Sequence, residues 1–87
     1  ILSNDRQYSI VVNPPRRGLY KNFTDMINLR SGFIKDIVYV SCNGESLARD
    51  LEFLGEGWVI EKIVPLDQFP NTNHYEIIVK MKNKMFL

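Results

Sequence analysis

Cys42 is the residue of this sequence with the most chemistry available to it. It follows the run Ile37-Val38-Tyr39-Val40-Ser41 and precedes Asn43, a residue type that caps helices. A thiol between a buried strand and a helix N-terminus lies at the positive end of the helix dipole. That favours the thiolate, the nucleophilic form of cysteine. A small buried hydrophobe suits the same place, because free cysteine is among the most buried residue types. Position alone leaves both readings open.

Glu76 is the second candidate. It lies in an otherwise apolar strand, where a carboxylate needs a partner or solvent. Partial burial would raise its pKa toward that of a general base. A solvated glutamate at a strand start is the alternative. His74 shares the face of Glu76 by the period-two rule, as a pocket residue or as a hydrogen-bonded structural one. Arg16 and Arg17, beside Pro14-Pro15, suit a phosphate or a solvated turn. Arg49 and Asp50 read as surface or locally paired residues. One cysteine and one histidine are too few for a zinc site, and the sequence carries no glycine-rich phosphate loop.

These residues need elements to position them. Residues 8–12 form a short β-branched run ended by Asn13-Pro14-Pro15, where the prolines cannot donate to a ladder. Phe23, Met26, Ile27 and Arg30 fall at helical spacing, with Asn22 as a cap and Gly32 as a stop. Residues 37–41 predict a second strand. Asn43 then caps a helix with the stripe Leu47, Leu51 and Leu54 and Ala48 beside it, and Glu45 suits its positive end. Gly55 and Gly57 end that helix. Residues 58–64 predict a third strand, residues 67–73 a loop around Pro70, and residues 75–81 a fourth strand.

The order strand, helix, strand, helix, strand, strand predicts an α/β fold with right-handed crossovers and a parallel sheet. The last connection is too short for a crossover, so the final strand is expected to run antiparallel. This is half of a doubly wound sheet. Functional groups of such sheets gather at the carboxyl ends of the strands. Here those ends are residues 13–18, residues 41–43 and residues 67–73, and an antiparallel last strand brings His74 and Glu76 to the same rim.

The 87 residues allow one small domain, and a formal net charge of +1 gives no global footprint for nucleic acid. The single cysteine excludes an intramolecular disulfide and fits a reducing compartment, hence a cytoplasmic expectation. No apolar run approaches the ~20 residues that span a bilayer, so no membrane partner is expected. The chain opens at Ile1 and enters a strand within a few residues, and it reads as a part of a longer protein. Strand 8–12 then presents an open edge, and a homodimer across it is expected.

Three segments together resemble the RNA uracil-5 methyltransferase family, which modifies tRNA or rRNA. Val12-Asn13-Pro14-Pro15-Arg16-Arg17-Gly18 is similar to the family's Asp-Pro-Pro-Arg-x-Gly. Residues 38–51, containing Ser41-Cys42-Asn43 and Leu47-Ala48-Arg49-Asp50-Leu51, are similar to Tyr-Val-Ser-Cys-Asn-Pro-x-Thr-Leu-Ala-Arg-Asp-Leu. Residues 67–76 are similar to Asp-x-Phe-Pro-x-Thr-x-His-Val-Glu. The match runs through nearly the whole chain in order and spacing.

The resemblance implies the C-terminal half of a class I, Rossmann-like catalytic domain that uses S-adenosylmethionine, as a single partial domain over residues 1–87. It implies that Cys42 attacks carbon 6 of a uracil and that Glu76 removes the proton from carbon 5. Asn13 would face the cofactor. Pro14, Arg16, Thr72 and His74 would hold the substrate base, unstacked from its RNA. Arg49 and Asp50 would be structural, tying their helix to its neighbours. The chain departs from the pattern twice. Asn13 replaces the family's Asp, a neutral contact for a charged one, and Gly44 replaces a proline in the first helical turn. The fragment lacks the cofactor loop and is expected to be inactive alone. Two other readings stay open: a non-catalytic RNA-binding or structural remnant, favoured by Asn13, and an amino-directed methyltransferase using Asn13-Pro14-Pro15.

Overall fold

The computed structural model describes residues 7–66 and 76–87. In chain order these form β1 (Tyr8–Val12), α1 (Lys21–Leu29), β2 (Ile34–Ser41), α2 (Gly44–Leu54), β3 (Trp58–Leu66) and β4 (Glu76–Asn83). The four strands make one sheet in the order β1-β2-β4-β3. β1 runs parallel to β2, and β4 runs antiparallel to both β2 and β3. The expected antiparallel last strand is therefore present. Its place between β2 and β3 was not expected. The crossover through α2 sets β3 down one strand away from β2, and β4 returns into the space between.

The core is apolar on one side of the sheet. Ile37 and Tyr39 of β2, Val79 and Met81 of β4, and Val12 of β1 pack with Ile27 of α1 and with Leu47 and Leu54 of α2. Alternation along the strands does this sorting, because every second side chain points to the same face. Trp58 closes one end of the core, and its indole N–H donates to Asn28 Oδ1 at 2.9 Å. Ile60 and Ile63 of β3 remain exposed. β3 lies at a sheet edge among the described residues, which accommodates Pro65 inside it.

Element ends differ from expectation for identifiable reasons. α1 begins at Lys21 behind an uncapped Tyr20, so Asn22 is not a cap but the second residue of the helix. The Tyr20 carbonyl receives the Phe23 and Thr24 amides, and the Thr24 hydroxyl donates to the Lys21 carbonyl at 2.7 Å. Gly32 is not the stop either. The helix closes at Leu29, where the Arg30 amide is shared between the Met26 and Ile27 carbonyls, and a 3-10 turn follows at Ser31–Phe33. β2 starts at Ile34, three residues before the expected strand. Lys35 and Asp36 disguise that start in sequence, and Asp36 is in fact buried.

β4 extends to Asn83, whose amide donates to the Ser31 and Ile34 carbonyls at 2.7 and 2.8 Å. That bond ties the end of β4 to the start of β2. Ala48, expected beside the buried stripe of α2, is exposed. Asp50 is fully buried and bonded to Leu19 and Tyr39, so the surface reading fails for it and the reading that ties α2 to its neighbours holds, while Arg49 keeps an exposed side chain.

Candidate functional site

Three strand ends meet on one rim. Val12, the last residue of β1, pairs with Tyr39 of β2. Ser41, the last residue of β2, pairs with Ile77 of β4, and Leu66 at the end of β3 pairs with Glu76 at the start of β4. Asn13, Cys42 and Glu76 therefore belong to the same edge of the sheet. Cys42 and Glu76 each stand one residue beyond the Ser41–Ile77 pair. Directly opposed residues of an antiparallel ladder have Cα atoms roughly 4.5–5.5 Å apart. Glu76 shares a face with Ile78, which pairs with Val40. Cys42 follows Ser41 directly, in the turn between β2 and α2.

The turn that carries Cys42 is fastened on both sides. The buried Ser41 hydroxyl accepts from the Asn43 amide at 3.0 Å and donates to the Asn43 carbonyl at 2.8 Å. The Asn43 side chain accepts from the amides of Glu45 at 2.9 Å and Ser46 at 3.2 Å, and so caps α2 as its residue type predicts. Cys42 sits between these anchors, half-buried and with a free thiol. Glu76 is half-buried at the start of β4.

The second loop of the rim, residues 13–18, is tied to α2. Its turn is closed by the Gly18 amide donating to the Pro15 carbonyl at 2.8 Å. The Ser46 hydroxyl donates to the Arg16 carbonyl at 2.7 Å. Arg49 Nη2 donates to the Arg17 carbonyl, and to that of Leu19 at 3.3 Å. Asp50 Oδ2 accepts from the Leu19 amide at 2.7 Å and from the Tyr39 hydroxyl. Burial, and then the Asp50 carboxylate beside it, pushes the Tyr39 phenol well above its ordinary range.

Asn13, Arg16 and Arg17 are exposed and Pro14 is half-buried. The Arg17 guanidinium lies 4.8 Å above the Tyr20 ring, so Arg17 is partly engaged, while the Arg16 side chain faces solvent. Thr72 and His74 lie outside the described residues, as does the loop of residues 67–73. Among the described residues no group of three or more metal-ligating side chains converges. No described helix is long and apolar enough to cross a membrane.

Sequence reasoning passed over Ser41 and Ser46, and from residue type alone it left Asp50 as a surface or locally paired residue. The signals were faint but present. Ser41 stands two residues before Asn43, the spacing at which a serine hydroxyl meets the backbone locally. Ser46 and Asp50 are four apart, so they share one side of α2 next to its apolar stripe.

Residues 2–84 match the family described as tRNA (Uracil-5-)-methyltransferase. The chain belongs to this family. The 23S rRNA (uracil(747)-C(5))-methyltransferase RlmC of Serratia proteamaculans is 44% identical over 70 residues, which are 79% of this chain and 18% of that protein. An uncharacterized RNA methyltransferase of Oceanobacillus iheyensis is 44% identical over 78 residues, 87% of this chain and 16% of that protein. The crystal structure of Pyrococcus abyssi tRNA (uracil-54, C5)-methyltransferase in complex with S-adenosyl-L-homocysteine superposes with a TM-score of 0.74 at 41% identity, over 84% of this chain and 17% of that one. The structure of M1.HpyAVI superposes with a TM-score of 0.63 at 17% identity, a likeness of fold alone.

The chain thus spans less than a fifth of the curated relatives named here. Its fold is the Rossmann-like α/β fold of class I methyltransferases. In this member of the family, Cys42, Glu76 and Asn13 are the described rim residues that the resemblance singles out for chemistry.

Proposed function

We propose that this chain carries the nucleophile and the base of an RNA uracil-5 methyltransferase. It would be the C-terminal part of a catalytic domain whose full-length protein methylates carbon 5 of a uridine in tRNA or rRNA. The observation that carries the reading is the placement of Cys42 and Glu76, each one residue past the Ser41–Ile77 pair on the rim of a methyltransferase-type sheet.

S-adenosylmethionine, when bound, supplies an electrophilic methyl group. Asn13 fits one wall of its site: it is exposed on the rim, and its amide offers a donor and an acceptor. The cavities beside residues 17–21, beside Trp58 and between β1 and α1 are lined by none of Asn13, Cys42 or Glu76. The rest of the enclosure would therefore come from outside the described residues.

Cys42 Sγ forms a bond to carbon 6 of the target uracil, and the electron pair of the 5,6 double bond moves toward carbon 5 and the carbonyl oxygen at position 4. Carbon 5 becomes nucleophilic and would take the methyl group, whose bond to the sulfonium sulfur breaks to leave S-adenosylhomocysteine. Glu76 then accepts the proton of carbon 5, the double bond re-forms, and the Sγ–carbon 6 bond breaks to return the thiolate. Pro14, Arg16, Thr72 and His74 would hold the base, which has to leave its stack to reach the rim. Arg16 would meet a phosphate through its exposed guanidinium. RNA is the partner of the full-length protein, and the exposed edge of β1 would pair with a second copy of the isolated chain.

The test is RNA carrying 5-fluorouridine at the target position, incubated with the full-length protein and S-adenosylmethionine. Fluorine cannot leave as a proton does, so the adduct is trapped. A covalent protein–RNA complex that disappears in Cys42→Ala is expected. RNA binding without an adduct would sink the reading and favour a non-catalytic remnant. A lost methylamino base in nucleosides from a deletion strain would instead point to an amino-directed enzyme.

A further inference from the structure

We propose that α2 is the positioning bracket of the site, with Ser46, Arg49 and Asp50 fixing the loop of residues 13–18 relative to Cys42. This inference rests on the reading of Cys42 as nucleophile and adds positioning residues to it. The bonds go to successive main-chain groups of one loop: the carbonyls of Arg16 and Arg17 and the amide of Leu19. The same helix is capped by Asn43, the residue after Cys42. Both described loops of the rim are therefore fastened to one rigid rod, ~10 Å long from Asn43 to Asp50 at 1.5 Å per residue. The distance between them is set by the helix and not by the loops.

Gly18 shows how closely the loop is drawn in. It has φ +85°, and a Cβ there would meet Asp50 Oδ2 at 2.6 Å, Arg49 Nη2 at 2.8 Å and Ser46 Cβ at 2.9 Å. Pro14 and Pro15 stiffen the other half of the loop by fixing φ. The Arg16 side chain is left exposed while its carbonyl is held. That is the arrangement of a loop whose backbone is anchored and whose Arg16 side chain remains free for a substrate. Ser46 is the residue whose loss changes this least elsewhere, since its hydroxyl serves the loop and nothing in the core.

The experiment uses the full-length protein with Ser46→Ala and Ser46→Thr, and two readouts. The first is kcat and KM for RNA, normalised to the sites that react with 5-fluorouridine RNA. A merely structural role lowers the number of competent sites and leaves kcat per site unchanged. We expect kcat per site to fall about tenfold in Ser46→Ala, within the ~100-fold that a 1 Å misplacement can cost. KM should hold to about twofold, because the chain's net charge of +1 places most of the RNA grip elsewhere. Ser46→Thr, which keeps the hydroxyl, should restore kcat.

The second readout is trypsin cleavage after Arg16 and Arg17, whose carbonyls are the ones held by Ser46 and Arg49. Cleavage should quicken several-fold in Ser46→Ala and return in Ser46→Thr. Unchanged kcat per site, or unchanged cleavage, overturns the proposal. If the wild-type protein forms no adduct, the cysteine reading fails, and the bracket then stands or falls on the cleavage rates alone.

Discussion

The hydroxyl of Tyr39 donates to the carboxylate of Asp50, and both side chains are fully buried. The bond joins the middle of β2 to the inner side of α2, in the layer just below the rim. The same oxygen of Asp50 also accepts the Leu19 amide. One buried carboxylate thus holds a strand and a loop to a helix.

Removing that carboxylate strands two donors, the buried Tyr39 hydroxyl and the half-buried Leu19 amide. Asp50→Ala should cost about 3 kcal/mol, since each unsatisfied buried group costs on the order of 1–3 kcal/mol. Asp50→Asn keeps an acceptor oxygen for Leu19 and Tyr39 and loses only the pairing with Arg49, 3.5 Å away in the native chain. Its cost should be about 1 kcal/mol. Urea unfolding followed at Trp58 separates the two, with the midpoint lowered and the slope unchanged. Equal losses would mean that charge, not the acceptor, is what the site requires.

The buried phenol gives the chain an alkaline limit. The Tyr39 pKa is raised above its ordinary value of 10.0. Its contribution to stability is therefore whole below pH 10 and is lost as pH rises toward the folded-state value. In that window the native state holds one more proton than the unfolded state, so stability falls by about 1.4 kcal/mol per pH unit from this group. Tyr39→Phe should be less stable at neutral pH and show a shallower decline above pH 10. Denaturant midpoints measured from pH 8 to 11.5 check both halves, and parallel curves for the two proteins would refute it.

What the sequence made legible was local, and what it hid depended on distance. The cap at Asn43 was readable because capping chemistry acts over two or three residues. The same logic failed at Asn22, a capping type that the structure places inside the helix it was meant to start. Beside Arg49 on a helix, Asp50 read from its residue type as surface or locally paired, and only the family resemblance marked it as structural. Its burial was decided by Leu19 and Tyr39, 31 and 11 residues away. The direction of β4 followed from a short connection, but its slot between β2 and β3 is a matter of long-range pairing. For the site, the rim was predictable from strand order, and Cys42, Glu76 and Asn13 all fall on it. The hydroxyls of Ser41 and Ser46 were not singled out, because serines at such positions are common and only their partners make them matter.

The edge of β1 should govern association of the isolated 87-residue chain. Val11 is 71% exposed there, and β1 pairs only with β2 among the described strands. An open, apolar strand edge invites pairing with another chain. Light scattering should show a dimer that grows with concentration, and Val11→Lys should return it to monomer, because charge on an edge strand opposes pairing. A clean monomer at high concentration would count against the edge as an interface.

Glu76 and Cys42 separate cleanly by mutation if their roles are those of base and nucleophile. Glu76→Gln keeps the half-buried shape at the start of β4 and removes the proton acceptor. Attack by Cys42 and methyl transfer precede the step that needs a base, so both should continue. Release of Cys42 requires the carbon 5 proton to leave first. The variant should therefore accumulate a covalent complex with ordinary uridine RNA, already methylated, while turnover falls about 100- to 10,000-fold, the range of general-base contributions. Denaturing gels of protein–RNA mixtures show the complex directly, and the added methyl group can be read by mass. Cys42→Ala should show neither complex nor turnover. If Glu76→Gln turns over within a few-fold of the parent, another group takes the proton, and His74, two residues before it in sequence, becomes the first candidate to replace.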